Sequence, residues 1–162
     1  MSVADYFLKI DGIKGESQAD GHKDEIQLES WSFGATQGGT MQFGGGGGAG
    51  KVSFQDFHFV MKTNKSSPEQ FIQCCTGKHI PSALLTCRKA GGKQETFVTW
   101  KFSDILVSSY QTSGSGSSDV IPMDQISFNF TKVEFEYFEQ DAKGVVKSAG
   151  KKTYDLKTIK AS

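Results

Sequence analysis

QISFNFTKVEFEYFE, from Gln125 to Glu139, is the stretch that decides the fold. Its large apolar residues fall first on even positions, Ile126, Phe128 and Phe130, and then on odd ones, Val133, Phe135 and Tyr137. Successive side chains of a strand point to opposite faces, so an apolar set that changes parity has changed face. No Gly or Pro lies inside the run to make a turn, and it reads as one long strand that re-aims its apolar side midway.

Three other runs repeat the switch. Ile26 and Leu28 give way to Trp31 and Phe33, with a bulge or sharp coil expected near Glu29 and Ser30. Val52 and Phe54 give way to Phe57 and Phe59, and Val98, Trp100 and Phe102 to Ile105 and Val107. Long strands that turn their apolar face suit a closed or strongly coiled barrel in which one strand serves two sheets. Pairs of short strands joined by tight turns, or strands buried on both faces, one of them against another subunit, are the competing arrangements. The expected class is mainly β: a small β-barrel of two antiparallel sheets with one short flanking α-helix, all of residues 1–162 forming one domain.

The helix starts at Ser67-Pro68-Glu69-Gln70, where Ser67 is the expected N-cap, Pro68 sits at the first helical position and Gln70 lies three residues after the cap. Phe71, Ile72, Cys74 and Cys75 make its apolar face and Gly77 its C-cap. Asp5 to Ile10 make a first strand ended by Asp11-Gly12. GESQADGHKDE, which carries His22, is a solvated loop, and LLTCRKAGGKQETFVTW is a hairpin turning at Gly91-Gly92. Thr112 to Asp119 is low-complexity and flexible, and KKTYDLKTI is a last strand or edge arm whose lysines discourage strand addition.

Between two of these strands lies GATQGGTMQFGGGGGAG, Gly34 to Gly50. So long a glycine-rich loop carries a large ordering entropy and has a role beyond connection. Gly45 to Lys51 fits G-x-x-x-x-G-K, but Val52 stands where Ser or Thr would hold magnesium, and a strand rather than a helix follows. A linker between two domains fails because the flanking pieces are too short for separate cores. The preferred reading is an arm that orders against a neighbouring subunit, with Met41 and Phe43 as apolar anchors.

Composition narrows the function. The 162 residues include 13 phenylalanines, which argue for a core filled by rings. Eighteen basic residues balance eighteen acidic ones, so no net field draws the chain to nucleic acid or an acidic membrane. No N-terminal leader pattern and no membrane-length apolar segment is present, which places synthesis and assembly in the cytoplasm. Cys74, Cys75 and Cys87 fit neither a disulfide framework nor a zinc or redox motif and are expected as buried thiols. His58, between Phe57 and Phe59, reads as a structural histidine, and His79 as a partner of the helix C-terminus. Glu134 and Glu136 form the polar side opposite Phe135 and Tyr137. No catalytic residue, cofactor site or metal ligand is expected. A sugar-binding β-sandwich stays open as an alternative, since an exposed Trp or Tyr can stack on a sugar ring.

FLKIDGIKGES, WSF with its following glycine, GGTMQFGGGGGAGKVSFQDFHF, SPEQFIQCCTGKH, PSALLTCRKAGG and ILVSSYQTSGSG, in that order, resemble the haemolysin-coregulated proteins, Hcp, of bacterial type VI secretion. The resemblance covers nearly the whole chain. It implies a structural subunit, not an enzyme, of which six copies close into a homohexameric ring. Rings would stack head to tail as the inner tube of a contractile machine, as in the related phage tail tubes. It further implies small effectors in the lumen, spike-tip and sheath proteins as partners, and secretion by the machine without a signal peptide. The loop at 34–50 looks like the family's extended loop, which places Gln37, Met41, Gln42, Phe43, Gly44, Gly45, Gly46, Gly47 and Gly48 at a subunit or ring contact. If Trp31 and Phe33 face the core, Ser32 faces outward, on the side that lines the pore in this family, as a cargo contact or as an ordinary solvent-facing serine.

Overall fold

A computed structural model describes residues 4–39, 51–90, 95–117 and 120–162. The strands are β1 (Ala4–Ile10), β2 (Ile26–Leu28), β3 (Ser30–Ser32), β4 (Ala35–Gln37), β5 (Val52–Phe54) and β6 (Phe57–Lys62). After α1 (Ser67–Thr76) come β7 (Ile80–Lys89), β8 (Thr96–Ser113), β9 (Met123–Asn129), β10 (Lys132–Gln140), β11 (Val146–Asp155) and β12 (Lys160–Ala161). The larger sheet runs β12-β11-β10-β8-β7-β1-β2, and β3-β6-β9 continues from the far half of β8. All pairings are antiparallel. The chain is thus mainly β, two sheets with one helix among the described residues.

β8 is the strand that serves both sheets. Its first half pairs with β7 and β10, its second half with β9. The change of parity falls at Asp104, whose φ of 54° is left-handed. That twist lets Phe102, Ile105 and Val107 all reach the core. Opposite, the Gln125–Glu139 run divides into β9 and β10 at Phe130–Thr131, where the Thr131 N–H donates to the Ser103 carbonyl at 3.1 Å. Neither Phe130 nor Thr131 has a positive φ, which is why the bend needs no glycine.

Elsewhere the switches are breaks. β2 and β3 are separated by Glu29, whose N–H donates to the Val60 carbonyl at 2.8 Å, and β5 and β6 by Gln55 and Asp56. The short-strand arrangement therefore holds at these places. The sheets are not closed into a barrel: β2 pairs with β1, β3 pairs with β6, and that corner is turned along the chain at Glu29 rather than by a ladder. The core between the sheets is built around Phe57, Phe59, Phe102 and Phe128, all fully buried, while Phe7 is buried on the other face of β1 against His22 and Arg88.

The helix begins and ends near its expected positions, but its cap and buried face differ. The N-cap is Ser66, one residue early, while the Ser67 hydroxyl accepts from Asn64 N–H at 3.0 Å and donates to Asp124 at 2.7 Å. Gly77 closes the helix in a left-handed conformation, its N–H on the Gln73 carbonyl. The side turned inward carries Ser67, Gln70 and Gln73, and Phe71 and Ile72 are each 49% exposed. Their amide nitrogens are bonded, Gln70 Nε2 donating to Ser66 Oγ at 3.0 Å and Gln73 Nε2 to Glu69 at 2.9 Å, whereas Gln70 Oε1 and Gln73 Oε1 are buried without a partner among the described residues. Of the thiols, Cys87 alone is fully buried; Cys74 is half-buried and Cys75 exposed.

The loop before β2 is less solvated than its composition suggests. His22 stacks on the buried Phe7 ring, centroids 4.5 Å apart, and its Nδ1 lies 3.0 Å from Glu25. The turn at Gly91-Gly92 lies outside the described residues, but the hairpin it closes is the β7–β8 pairing. β8 extends through Ser113, two residues into the expected flexible loop; the segment expected as a last strand belongs to β11, which starts earlier at Val146, and the two-residue β12 follows it.

Candidate functional site

One face of the smaller sheet carries a row of small polar side chains. Ser32 of β3 stands opposite His58 of β6, His58 opposite Ser127 of β9, and Ser127 opposite Ser109 of β8. His58 Nδ1 lies 3.0 Å from Ser127 Oγ, so the histidine is held in the sheet by a hydroxyl, as a structural histidine. The next row is Ser30, Val60, Gln125 and Gln111. Neither row contains a carboxylate or an ammonium group. Ser32 is exposed on this face, while Trp31 and Phe33 pack against the core on the other, the orientation expected from period two.

β4 and β5 form a separate two-stranded ribbon with the register Ala35↔Phe54, Thr36↔Ser53 and Gln37↔Val52. Its root is fixed by Phe33 and Phe54, stacked with centroids 6.0 Å apart, and by the Gln55 N–H on the Gly34 carbonyl at 2.9 Å. Ala35, Thr36 and Gln37 are all exposed. Gln37 thus sits on the outermost rung, in a different sheet from Ser32, and the two are not one cluster. Met41, Gln42, Phe43 and Gly44 through Gly48 lie outside the described residues.

Sequence reasoning missed the apolar surface. Phe135 and Tyr137, on the apolar side of their strand, are 41% and 49% exposed. Phe135 stacks on Trp100, its cross-strand partner, with ring planes 11° apart. Phe71 and Ile72 make a second apolar strip on α1. Parity correctly put Phe135 and Tyr137 on the core side of their strand; where the covering sheet ends is not written in one strand's pattern.

The titratable groups are structural in their bonding. Asp124 is buried and accepts from Ser67, Thr63 and Tyr110. Burial, then the bond to Asp124, raises the Tyr110 phenol. His79 bonds the Asp104 carboxylate at 2.9 Å rather than the helix carbonyls, and Lys157 approaches the other oxygen at 3.3 Å. The His79 bond, followed by that of Lys157, holds Asp104 below the usual carboxylate range. Burial pushes the Cys87 thiol up to about 12. Among the described residues no three His, Cys, Asp or Glu side chains gather as a metal site, and no helix is long and apolar enough to cross a membrane.

The two sheets leave an aromatic strip partly uncovered at Phe135 and Tyr137, and β4 and β5 pair apart from them. Residues 7–137 match the family model described as type VI secretion system effector, Hcp, and the chain belongs to that family, the tube proteins of type VI secretion. It is 42% identical over 143 residues to protein hcp1 of Pseudomonas aeruginosa, spanning 88% of each chain. Among solved structures it is similar to a type six secretion system protein at 28% identity, with a TM-score of 0.92 over 99% of this chain and all of the other. It is also similar to Hcp1 of Salmonella typhimurium, at 32% identity with a TM-score of 0.79 over 99% of this chain and all of that one.

Proposed function

We propose that this chain, acting as one domain, is the ring-forming subunit of the type VI inner tube. Six copies close into a ring, and rings stack head to tail with small effectors carried in the lumen. Spike-tip and sheath proteins meet the assembled tube. Assembly takes place in the cytoplasm, and the tube leaves through the machine. Its role is structural, with no reaction of its own. The observation that carries this reading is the family match across residues 7–137.

The surfaces support it. Ring closure and stacking need two different heterologous contacts on one subunit, and the fold offers uncovered aromatic strips, the ribbon bearing Gln37 and a neutral polar sheet face. The reading places Gln37, Met41, Gln42, Phe43 and Gly44 to Gly48 at a contact between copies, and Ser32 on the lumen side. The comparisons give no support to sugar binding.

The test is light scattering on the purified full chain together with negative-stain imaging. A mass of six copies and rings of uniform diameter are expected. A monomer at high concentration that binds a glycan array would overturn the reading.

A further inference from the structure

The larger sheet has two open ends, and the chain's charge is sorted between them. At one end β11 pairs with β10, but on its other side it meets only β12, at Tyr154 and Asp155, and Ser162, bonded to Thr153. Val146 to Lys152 therefore have no strand beside them there among the described residues. At the other end β2 pairs with β1 alone. An open edge is a template for another strand.

Residues 143–162, the β11–β12 hairpin and the turn before it, hold six lysines against one acid, Asp155, whose carboxylate accepts from the backbone N–H groups of Lys157 and Thr158. Residues 11–29, which lead into and out of β2, hold six carboxylates against two lysines. Lys151 and Lys157 are engaged within the chain by Glu134 and Asp104, which leaves Lys147, Lys152 and Lys160 exposed and without an ion pair among the described residues. Beside β2 lies an open groove of about 320 Å³ whose lining includes Glu16, Gln27, Glu29 and Lys62. Glu16 is exposed, and Lys62 reaches Glu29 only at 4.0 Å.

We propose that the β11 edge of one copy docks against the β2 edge of the next, its unpaired lysines meeting the carboxylates around that groove. The inference rests on the tube-subunit reading and adds to it which two edges meet. Backbone groups supply the adhesion and the charges choose the partner. A chain cannot join its own ends: β10, β8, β7 and β1 stand between them in one sheet, a separation of about 24 Å at the usual strand spacing. Two β11 edges, or two β2 edges, would bring like charges together, which rejects a two-fold pairing. The contact is therefore head-to-tail and propagates from copy to copy. A formal net charge of zero leaves no overall repulsion against it.

The experiment uses two full-length variants, Lys147→Glu with Lys152→Glu, and Glu16→Lys with Glu29→Lys, compared with the wild type by light scattering and negative-stain imaging over a concentration series. All four positions are exposed, and the circular dichroism spectra should not change. Each variant alone presents edges of like charge and should need at least a tenfold higher concentration to assemble. An equimolar mixture matches an acidic β11 with a basic β2, and the reverse, and should assemble as the wild type does. Variants that each assemble at the wild-type concentration would overturn the edge contact and leave the tube reading intact. A mixture no better than its components would overturn it too, because the lysines and carboxylates would then not be meeting each other. A charge-independent check places Gln27→Cys and Ser148→Cys in a chain carrying Cys74→Ser and Cys75→Ser. A short bis-maleimide should yield covalent dimers and higher species, and assembled protein without them would overturn the contact. A wild type that stays monomeric would remove both readings.

Discussion

Ser67 Oγ, at the start of the helix, donates to the buried Asp124 carboxylate of β9 at 2.7 Å. Thr63 Oγ1 and the Tyr110 hydroxyl reach the same side chain at 2.9 Å each. One carboxylate thereby joins the segment after β6, the helix, β8 and β9. Asp124→Ala strands three hydroxyls without their acceptor, and the expected loss is about 3 kcal/mol of folding stability. Asn, which keeps one acceptor oxygen, should lose less. Urea unfolding of both variants is the measurement; an unchanged midpoint for the Ala variant would show that the hub carries no stability.

Cys87 lies in the core of β7, and its thiol is held up to about 12 from an ordinary 9.0 by burial. The unfolded chain releases that proton first, so the contribution is intact below pH 9 and is lost as pH rises from about 9 toward about 12. The slope is about 1.4 kcal/mol per pH unit at most. Cys87→Ala should be less stable at neutral pH yet lose stability less steeply between pH 9 and 11. In the folded protein at pH 8, a thiol reagent should label the exposed Cys75 rapidly and Cys87 only after unfolding.

Gly15 lies where a Cβ would be 2.5 Å from the Glu25 carbonyl oxygen and 2.7 Å from Ile26 Cγ1. The nearest atom is backbone, fixed by the bond from Ser17 N–H to that same carbonyl at 3.0 Å, and it cannot swing aside. Gly15→Ala should cost about 2 kcal/mol through overpacking, read as a lowered thermal midpoint. Gly12→Ala, with open space around its Cβ but a φ of 81°, supplies the comparison in which backbone conformation alone is at fault.

The sheets were legible because face reversal is a property of residue order: Phe102 to Ile105 and Phe130 to Val133 announce the bend that Asp104 and Thr131 make. The helix ends were legible from Pro68 and Gly77, whose backbone preferences are local. Its buried side was not. Phe71 and Ile72 differ from core residues only in what lies opposite them, and Gln70 turns inward with its Nε2 donating to Ser66 Oγ. For the same reason the exposure of Phe135 was not legible: a strand pattern records a face, not the extent of its cover. Ser32 could be oriented from Trp31 and Phe33, whereas its neighbours His58, Ser127 and Ser109 come together only through three ladders.

That row frames the last prediction. Ser32 is exposed, and its register partner His58 is already engaged with Ser127, so a longer side chain at 32 meets solvent rather than packed atoms. Ser32→Arg should leave the thermal midpoint and the ring mass unchanged, because the substitution touches neither the core nor the ribbon. It brings a cation into rows of hydroxyls and amides that have no carboxylate to pair with it. A cargo surface shaped to that neutral face would have to desolvate an unpaired charge, at a cost of several kcal/mol where water is excluded. Co-expressed small effectors should therefore co-purify with wild-type rings and at least tenfold less with the Arg variant, while Ser32→Ala, which removes one hydroxyl, should retain more. Equal retention by intact Arg rings would place cargo on another surface.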